Sequence, residues 1–349
     1  MPSVPAFQRA ELSYPFETRP GDGELMEVAP GLHWLRMPLP FSLNHINLWV
    51  LEDGEGFSLV DTGLASDTTI DLWQNLFGGV LKGRGLERIL VTHMHPDHLG
   101  LAGWLNERSG APLLISRTEY LSCRSLLQYS HEQAPQDAIA FYRGAGFDTE
   151  QLNYYRSQFG GFGRLMHGLP HSFTRLEEGD LIEIGARQWR VMMGEGHSPE
   201  HACFYCEADN LFISGDQLLP TISSNVSVWP SEPHANPLEL WLNSCQRLAS
   251  ELNEDTLVLP SHGKPFTGAP GRLHELIDEH EGDLRALVEY CRTPRRAVDC
   301  FERLFRVSIT RSNLIMATGE SLAHLNCLLA RGLLRCETDP EGVNWYSSR

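Results

Sequence analysis

Ile89-Leu90-Val91-Thr92-His93-Met94-His95-Pro96-Asp97-His98-Leu99-Gly100 runs from an apolar tripeptide into three imidazoles and one carboxylate within six positions. The apolar run reads as a short buried strand, and the polar cluster falls where that strand ends. Neutral imidazole and carboxylate are the side chains that bind borderline divalent metals such as zinc. In extended chain His93 and His95 point to the same side. After Pro96 the backbone must turn, so Asp97 and His98 can face a second point. One cluster can therefore serve two metal ions, which lie about 3.5–4 Å apart in two-metal hydrolytic sites.

The same grammar recurs along the chain. A predicted strand over 57–60 ends in Asp61-Thr62-Gly63. One over 189–193 leads to Gly196-His197-Ser198-Pro199-Glu200-His201, one over 211–214 ends in Gly215-Asp216, and one over 257–259 ends in Pro260-Ser261-His262-Gly263. Loops at strand ends on one face of a scaffold are where sites are built. Further strands are predicted over 33–37, 46–51, 112–116, 181–184 and 202–207. Helices are predicted over 68–77, 101–108 and 238–252, the last with Leu240, Trp241, Leu248 and Leu252 as its apolar stripe. Strands alternating with helices make the class α/β.

Residues 1–25 carry several prolines and little periodicity, and read as an irregular arm. Residues 117–175 read as a mostly helical, lid-like insertion, with helices over 121–130 and 135–143 and a hinge at Phe159-Gly160-Gly161-Phe162-Gly163. Its aromatics, Tyr120, Tyr129 and Tyr155 among them, have two readings: lining a substrate pocket, or packing the insertion onto the body. From 269 a helix over 272–290 is expected, then a second opened by Thr293-Pro294. A third follows over 312–331, and a hairpin from strands at 333–338 and 343–346.

At about 150 residues per domain, 349 residues suggest two or three domains. The net charge of −17 opposes binding to phosphate backbones. From Arg292 onward nine arginines face six carboxylates, so the acidity lies in the rest of the chain. No segment approaches the ~18 apolar residues of a membrane span. The N-terminus lacks the basic start and apolar run of a secretory signal. Eight cysteines have no framework spacing. Cys203 and Cys206 fall on a predicted strand, three positions apart and so on opposite faces, which argues against a metal or redox pair. Reduced thiols fit a cytoplasmic protein.

Together the five strand-end motifs, in this order over residues 28–265, resemble those of the metallo-β-lactamase-fold hydrolase superfamily. The resemblance implies a four-layer αβ/βα sandwich over 26–268 with a dinuclear site at one sheet edge. It implies His93, His95 and His197 as ligands of a first metal, and Asp97, His98 and His262 as ligands of a second. Asp216 would bridge the two. Asp61 and His201 would support the ligands from behind. Two divalent ions are expected, zinc by ligand type with iron or manganese as alternatives. They would share a hydroxide that attacks the substrate, oriented by Asp97. The glyoxalase II pattern is approached but not matched. Here Gly100-Leu101-Ala102-Gly103 stands in place of adjacent glycines, and Glu200 stands where that pattern has glycine. Glu200 is open between a surface residue and a supporting acceptor. Residues 269–349 resemble the winged-helix tail of lactamase-like hydrolases that include an endoribonuclease. The acidic body favours a wing packed on the catalytic domain or on a second subunit, as in a homodimer. The expected function is hydrolysis of an ester, thioester or lactone of a small molecule. The competing expectations are a phosphodiesterase or endoribonuclease, and a metal-bound sensor or binding protein.

Overall fold

In the computed structural model residues 10–129 and 132–349 are described. Residues 1–9 of the expected arm, and Ser130 and His131 of the expected insertion, lie outside the described residues. Strands β1 (Leu25–Ala29), β2 (Leu32–Pro38), β3 (His45–Asp53) and β4 (Gly56–Val60) form an antiparallel meander. Helix α1 (Asp67–Gly78) then crosses to β5 (Leu86–Leu90), which pairs with β4 in parallel. The short α2 (Pro96–Leu99) and α3 (Ala102–Ser109) lead to β6 (Leu113–Ser116). A helical excursion through α4 (Arg117–Gln128), α5 (Gln136–Gly144) and α6 (Thr149–Gln158) returns to β7 (Thr174–Leu176), which completes a seven-stranded sheet in sequence order.

The second sheet holds β8 (Leu181–Ile184), β9 (Arg187–Gly194), β10 (His201–Cys206), β11 (Leu211–Gly215) and β12 (Leu257–Pro260), in the order β12-β11-β10-β9-β8. Helix α7 (Pro237–Glu251) crosses between β11 and β12, which pair in parallel.

Strands buried on both faces alternate between two cores. In β3, Ile46, Leu48 and Val50 pack with Trp73 and Leu76 of α1, while Trp49 and Leu51 face the second sheet. In β10, Cys203 and Tyr205 pack with Trp241 and Leu248 of α7, while Phe204 and Cys206 face the first sheet. The layers are therefore helix, sheet, sheet, helix: an αβ/βα sandwich. Cys203 and Cys206 are both free thiols, one in each core.

Beyond β12 come α8 (Ala269–Tyr290), a 3₁₀ turn (Ala297–Cys300), α9 (Phe301–Leu304), α10 (Leu314–Ala330), and the hairpin β13 (Leu334–Thr338) with β14 (Asn344–Ser348). Leu276 and Leu284 of α8, Leu325 of α10 and Tyr346 of β14 share one apolar cluster with Trp241 of α7.

Three local expectations change. No helix opens at Thr293-Pro294, because Arg295 exchanges two backbone hydrogen bonds with Tyr346, at 2.9 and 2.7 Å, and stays extended. The helical turn starts only at Ala297, with the Asp299 carboxylate accepting from the Arg296 N–H at 2.8 Å. The expected hinge at 159–163 is docked rather than free. Gly161–Leu165 is a 3₁₀ turn whose Phe162 and Leu165 pack on the α1–α3 core, and Ala65 N–H donates to Leu165 O at 3.3 Å. Helix α6 emerges behind a capping box formed by Asp148 and Gln151. No helix among the described residues is long and apolar enough to cross a membrane.

Candidate metal centre

Strand register assembles the site. Parallel pairing of Val60 with Leu90 sets Asp61 beside the end of β5. Pairing of Gly215 with Pro260 sets Asp216 beside the turn carrying His262. Pairing of Gly194 with His201 folds the His197 loop back over the same edge. Two backbone bonds between the sheets close it: Ala202 N–H to Thr92 O at 2.8 Å, and Asn47 N–H to Ser261 O at 2.7 Å.

Three imidazole nitrogens converge at one point. His93 Nε2 lies 2.8 Å from His95 Nδ1 and 3.2 Å from His197 Nε2. A second group forms where His98 Nε2 lies 3.7 Å from Asp97 Oδ2, and His262 Nε2 lies 3.5 Å from the same oxygen. Asp216 stands between them. Its Oδ2 is 3.5 Å from His197 Nε2, while Oδ1 is 3.6 Å from His98 Nε2 and 3.4 Å from His262 Nε2. Thus His93, His95 and His197 form one candidate donor set, Asp97, His98 and His262 another, and Asp216 shares an edge with both.

The donor set fits divalent ions. His98 Nε2 and Asp216 Oδ1 are buried without a hydrogen-bond partner, an arrangement that costs free energy unless something satisfies it. Burial and neighbouring imidazoles hold His93 well below the ordinary histidine range; burial, with His197, pushes His95 down to about 3. Both are therefore neutral, the form that binds metal. At the second set burial opposes charge on His98 and His262, but carboxylates more than offset it: Asp97, Asp61 and Asp216 raise His98, and Asp216 with Asp97 raises His262 to about 10. A cation there would take the place of those protons.

Each donor is held from behind. The carboxylate of Asp61 is 2.8 Å from His98 Nδ1 and accepts from Thr92 N–H at 2.8 Å, so it faces away from the convergence points. Asp61 itself sits at φ +62°, in the left-handed region that Asp tolerates better than most residues. His201 Nε2 accepts from the Asp216 N–H at 3.1 Å and its ring stacks on His93 at 4.7 Å. Gly215, at φ +53°, lies so close that a Cβ would strike the His201 ring. His262 Nδ1 donates to His45 O and His197 Nδ1 to Asn225 O, each at 2.8 Å.

Two supports carry no motif. Asn47 accepts from Trp34 Nε1 at 2.7 Å and donates to Pro260 O and Gly263 O, both at 2.8 Å, pinning the His262 turn to β3. Glu119, fully buried in the first turn of α4, accepts from Met94 N–H at 2.9 Å and Glu200 N–H at 2.8 Å. It joins the two histidine loops. Glu200 in turn accepts from Thr118 N–H at 2.9 Å at the start of α4, so its side chain caps that helix.

Of the three tyrosines read either as pocket lining or as packing, two are buried. Tyr120 is buried against Phe173 and donates to Pro170 O at 2.8 Å. Tyr155 is buried against Tyr142 within the α5–α6 cluster. Tyr129 is exposed, edge-on to Phe159.

A sandwich of this topology with a histidine–aspartate centre at its sheet edge defines a metallo-hydrolase class. Residues 42–262 match the model of the metallo-beta-lactamase superfamily, and residues 284–349 match that of the metallo-beta-lactamase-like C-terminal domain. The chain belongs to the metallo-β-lactamase superfamily. It is similar to the crystal structure of a beta-lactamase domain protein from Burkholderia ambifaria, at 41% identity and TM-score 0.89, covering 97% of this chain and 98% of that one. It is 24% identical over 305 residues to a probable metallo-hydrolase of Bacillus subtilis (strain 168), covering 85% of this chain and 91% of the relative. It is 23% identical over 241 residues to an atrochrysone carboxyl ACP thioesterase of Aspergillus terreus, covering 68% of this chain and 56% of that protein.

Proposed function

We propose that the chain is a dinuclear hydrolase of small-molecule esters, thioesters or lactones, with a thioester favoured. The observation that carries this is the double donor set around Asp216, one carboxylate oxygen toward each group. His93, His95 and His197 would hold one divalent ion and Asp97, His98 and His262 a second; such ions, zinc by donor type with iron or manganese as alternatives, would supply a nucleophile at neutral pH by lowering the pKa of water. The chain's own residues orient the reaction. Asp97, with Oδ2 toward both His98 and His262, is placed to hold or shuttle a proton. The thioesterase name of the Aspergillus relative supports the thioester class.

Charge supports a small molecule over RNA. Five of the nine arginines after residue 291 are tied to carboxylates of this chain: Arg292, Arg296, Arg311, Arg331 and Arg335. The wing of a winged helix is the reading we give β13 and β14, and Tyr346 of this hairpin shares one apolar cluster with Trp241 and Leu248 of α7. Substrate choice we assign to the excursion over 117–175, where Tyr120 lines a cavity with Arg124, Gln128 and His171 and Tyr129 and Tyr155 remain candidates.

The test is one preparation assayed on acyl-thioesters, lactones, phosphodiesters and single-stranded RNA, with metal analysis of the same sample. About two ions per chain and the highest kcat/KM on a thioester are expected. Asp97→Asn should lower that activity at least about 100-fold, since it removes the charge that helps hold and orient the nucleophile. RNA cleavage as the stronger activity, abolished by the same substitution, would make the protein a nuclease. Full activity after exhaustive chelation would remove the metal reading altogether.

A further inference from the structure

The segment between Asp216 and α7 is held by the C-terminal helices, and it holds two of the candidate ligands in turn. Asn225 O accepts the proton of His197 Nδ1 at 2.8 Å. A carbonyl can only accept, so Nδ1 carries the proton and Nε2 is left with its lone pair toward His93. Ser224 Oγ donates to the Asp216 carbonyl. On its other side, Asn225 Nδ2 donates to Glu320 Oε2 at 2.7 Å, and Ser227 Oγ donates to Asn225 Oδ1 at 2.6 Å. The Val228 N–H reaches Gly319 O at 3.0 Å. Gly319 makes this approach possible, because a Cβ there would stand 2.7 Å from Ser227 Oγ. Glu320 is itself braced through its own carbonyl, which accepts from His324 Nδ1 at 2.9 Å.

We propose that Glu320 of α10 is a positioning residue for the first metal: through Asn225 it fixes the tautomer and aim of His197, so the C-terminal domain completes the metal centre rather than serving as a separate module. This rests on the metal-centre reading above. Glu320 touches no donor set, and its influence passes through one side-chain bond and one backbone carbonyl. An amide at 320 still offers an oxygen to Asn225 Nδ2; a methyl does not.

The experiment titrates metal-stripped full-length protein with Zn²⁺ alone, in competition with a chromophoric chelator, and with Co²⁺ to read the ligand-field spectrum. Wild type, Glu320→Gln, Glu320→Ala and Asn225→Ala are compared, with circular dichroism and thermal melting on each. Glu320→Ala should weaken the Zn²⁺ Kd about 10–100-fold, the usual cost of losing a group behind a ligand, and alter the Co²⁺ spectrum. Glu320→Gln should stay within about threefold of wild type by the same reasoning. Asn225→Ala keeps the carbonyl but cuts the tether; it should resemble Glu320→Ala, and it stands in should that variant not fold. Folded Glu320→Ala or Asn225→Ala with lower Tm but unchanged Zn²⁺ affinity and Co²⁺ spectrum overturns the proposal, as does a glutamine variant as weak as the alanine one. Wild type that binds no Zn²⁺ or Co²⁺ instead overturns the metal-centre reading itself.

Discussion

Glu119 shows how much of the site rests on a single side chain outside every motif. Its two oxygens satisfy two backbone N–H groups, one in each histidine loop. Burial raises its pKa, and the N–H groups of Glu200 and Met94 work the other way. Truncation leaves both half-buried donors unpaired, at about 1–3 kcal/mol each. Glu119→Ala should therefore lower unfolding free energy by about 2–6 kcal/mol, read by urea denaturation. The candidate donors stood out in sequence because they cluster in the segments that follow apolar strands, and strand ends on one edge meet in space. Glu119 did not, because a glutamate in the first turn of a helix looks like an ordinary dipole partner. Asn47 was hidden likewise, as the one polar residue in the apolar run 46–51 of β3. Glu320 allows a pH experiment. Burial raises its carboxyl to about 7, with Asp283 adding to the rise and Asn225 opposing it. Asp283 is itself raised to about 6 by burial, while Arg303 and Arg306 pull it down; His280 and His324, on the same side, are held neutral by burial. The folded state thus keeps the Glu320 proton that the unfolded chain releases near pH 4.5, and stability falls as pH rises from there through 7. Wild type should lose stability relative to Glu320→Gln between pH 5 and pH 8; parallel curves would contradict this.

At the scale of elements, the strands were legible and the helix registers less so. Buried strands show up as unbroken apolar runs, whichever way each residue faces. Helix α7 was placed correctly, but its buried stripe is Leu238, Trp241, Cys245 and Leu248, and Leu240 is exposed. A leucine beside a tryptophan carries no sign of which one faces inward. The irregular parts were read least well. Gly160 and Gly161 suggested a hinge, but the neighbouring Phe162 and Leu165 bury against the first core. The excursion is built in two parts with different duties. Helix α4 belongs to the site through Glu119, whereas α5 and α6 pack with Val298, Phe301 and Leu314 beyond the catalytic sandwich. Perturbing α6 should then cost stability and spare metal content. Asp148→Ala removes the acceptor for Gln151 N–H and should cost about 1 kcal/mol, with unchanged metal per chain by elemental analysis.

Across the whole molecule, the core beneath β12 does not stop where the sandwich ends. Trp241, Leu276, Leu325 and Tyr346 belong to one apolar cluster, so removing 284–349 takes away the end of α8 and uncovers apolar side chains of α7 and of the rest of α8. A chain truncated after residue 283 should aggregate or melt without cooperativity, whereas the full chain should unfold in one transition in calorimetry. The His45–His262 contact has a consequence of another kind. His262 Nδ1 reaches a carbonyl 217 residues earlier, and Gly263 N–H reaches the His45 ring at 3.1 Å. Contacts of such long range are made late, after the costly closure of large loops. The chain through His262, about three quarters of its length, must therefore leave the ribosome before the second candidate donor set can exist, so any metal loading there is expected late in maturation. Added Zn²⁺ should then leave the refolding rate of denatured protein nearly unchanged and slow its unfolding instead, a split that stopped-flow chevrons with and without Zn²⁺ would expose.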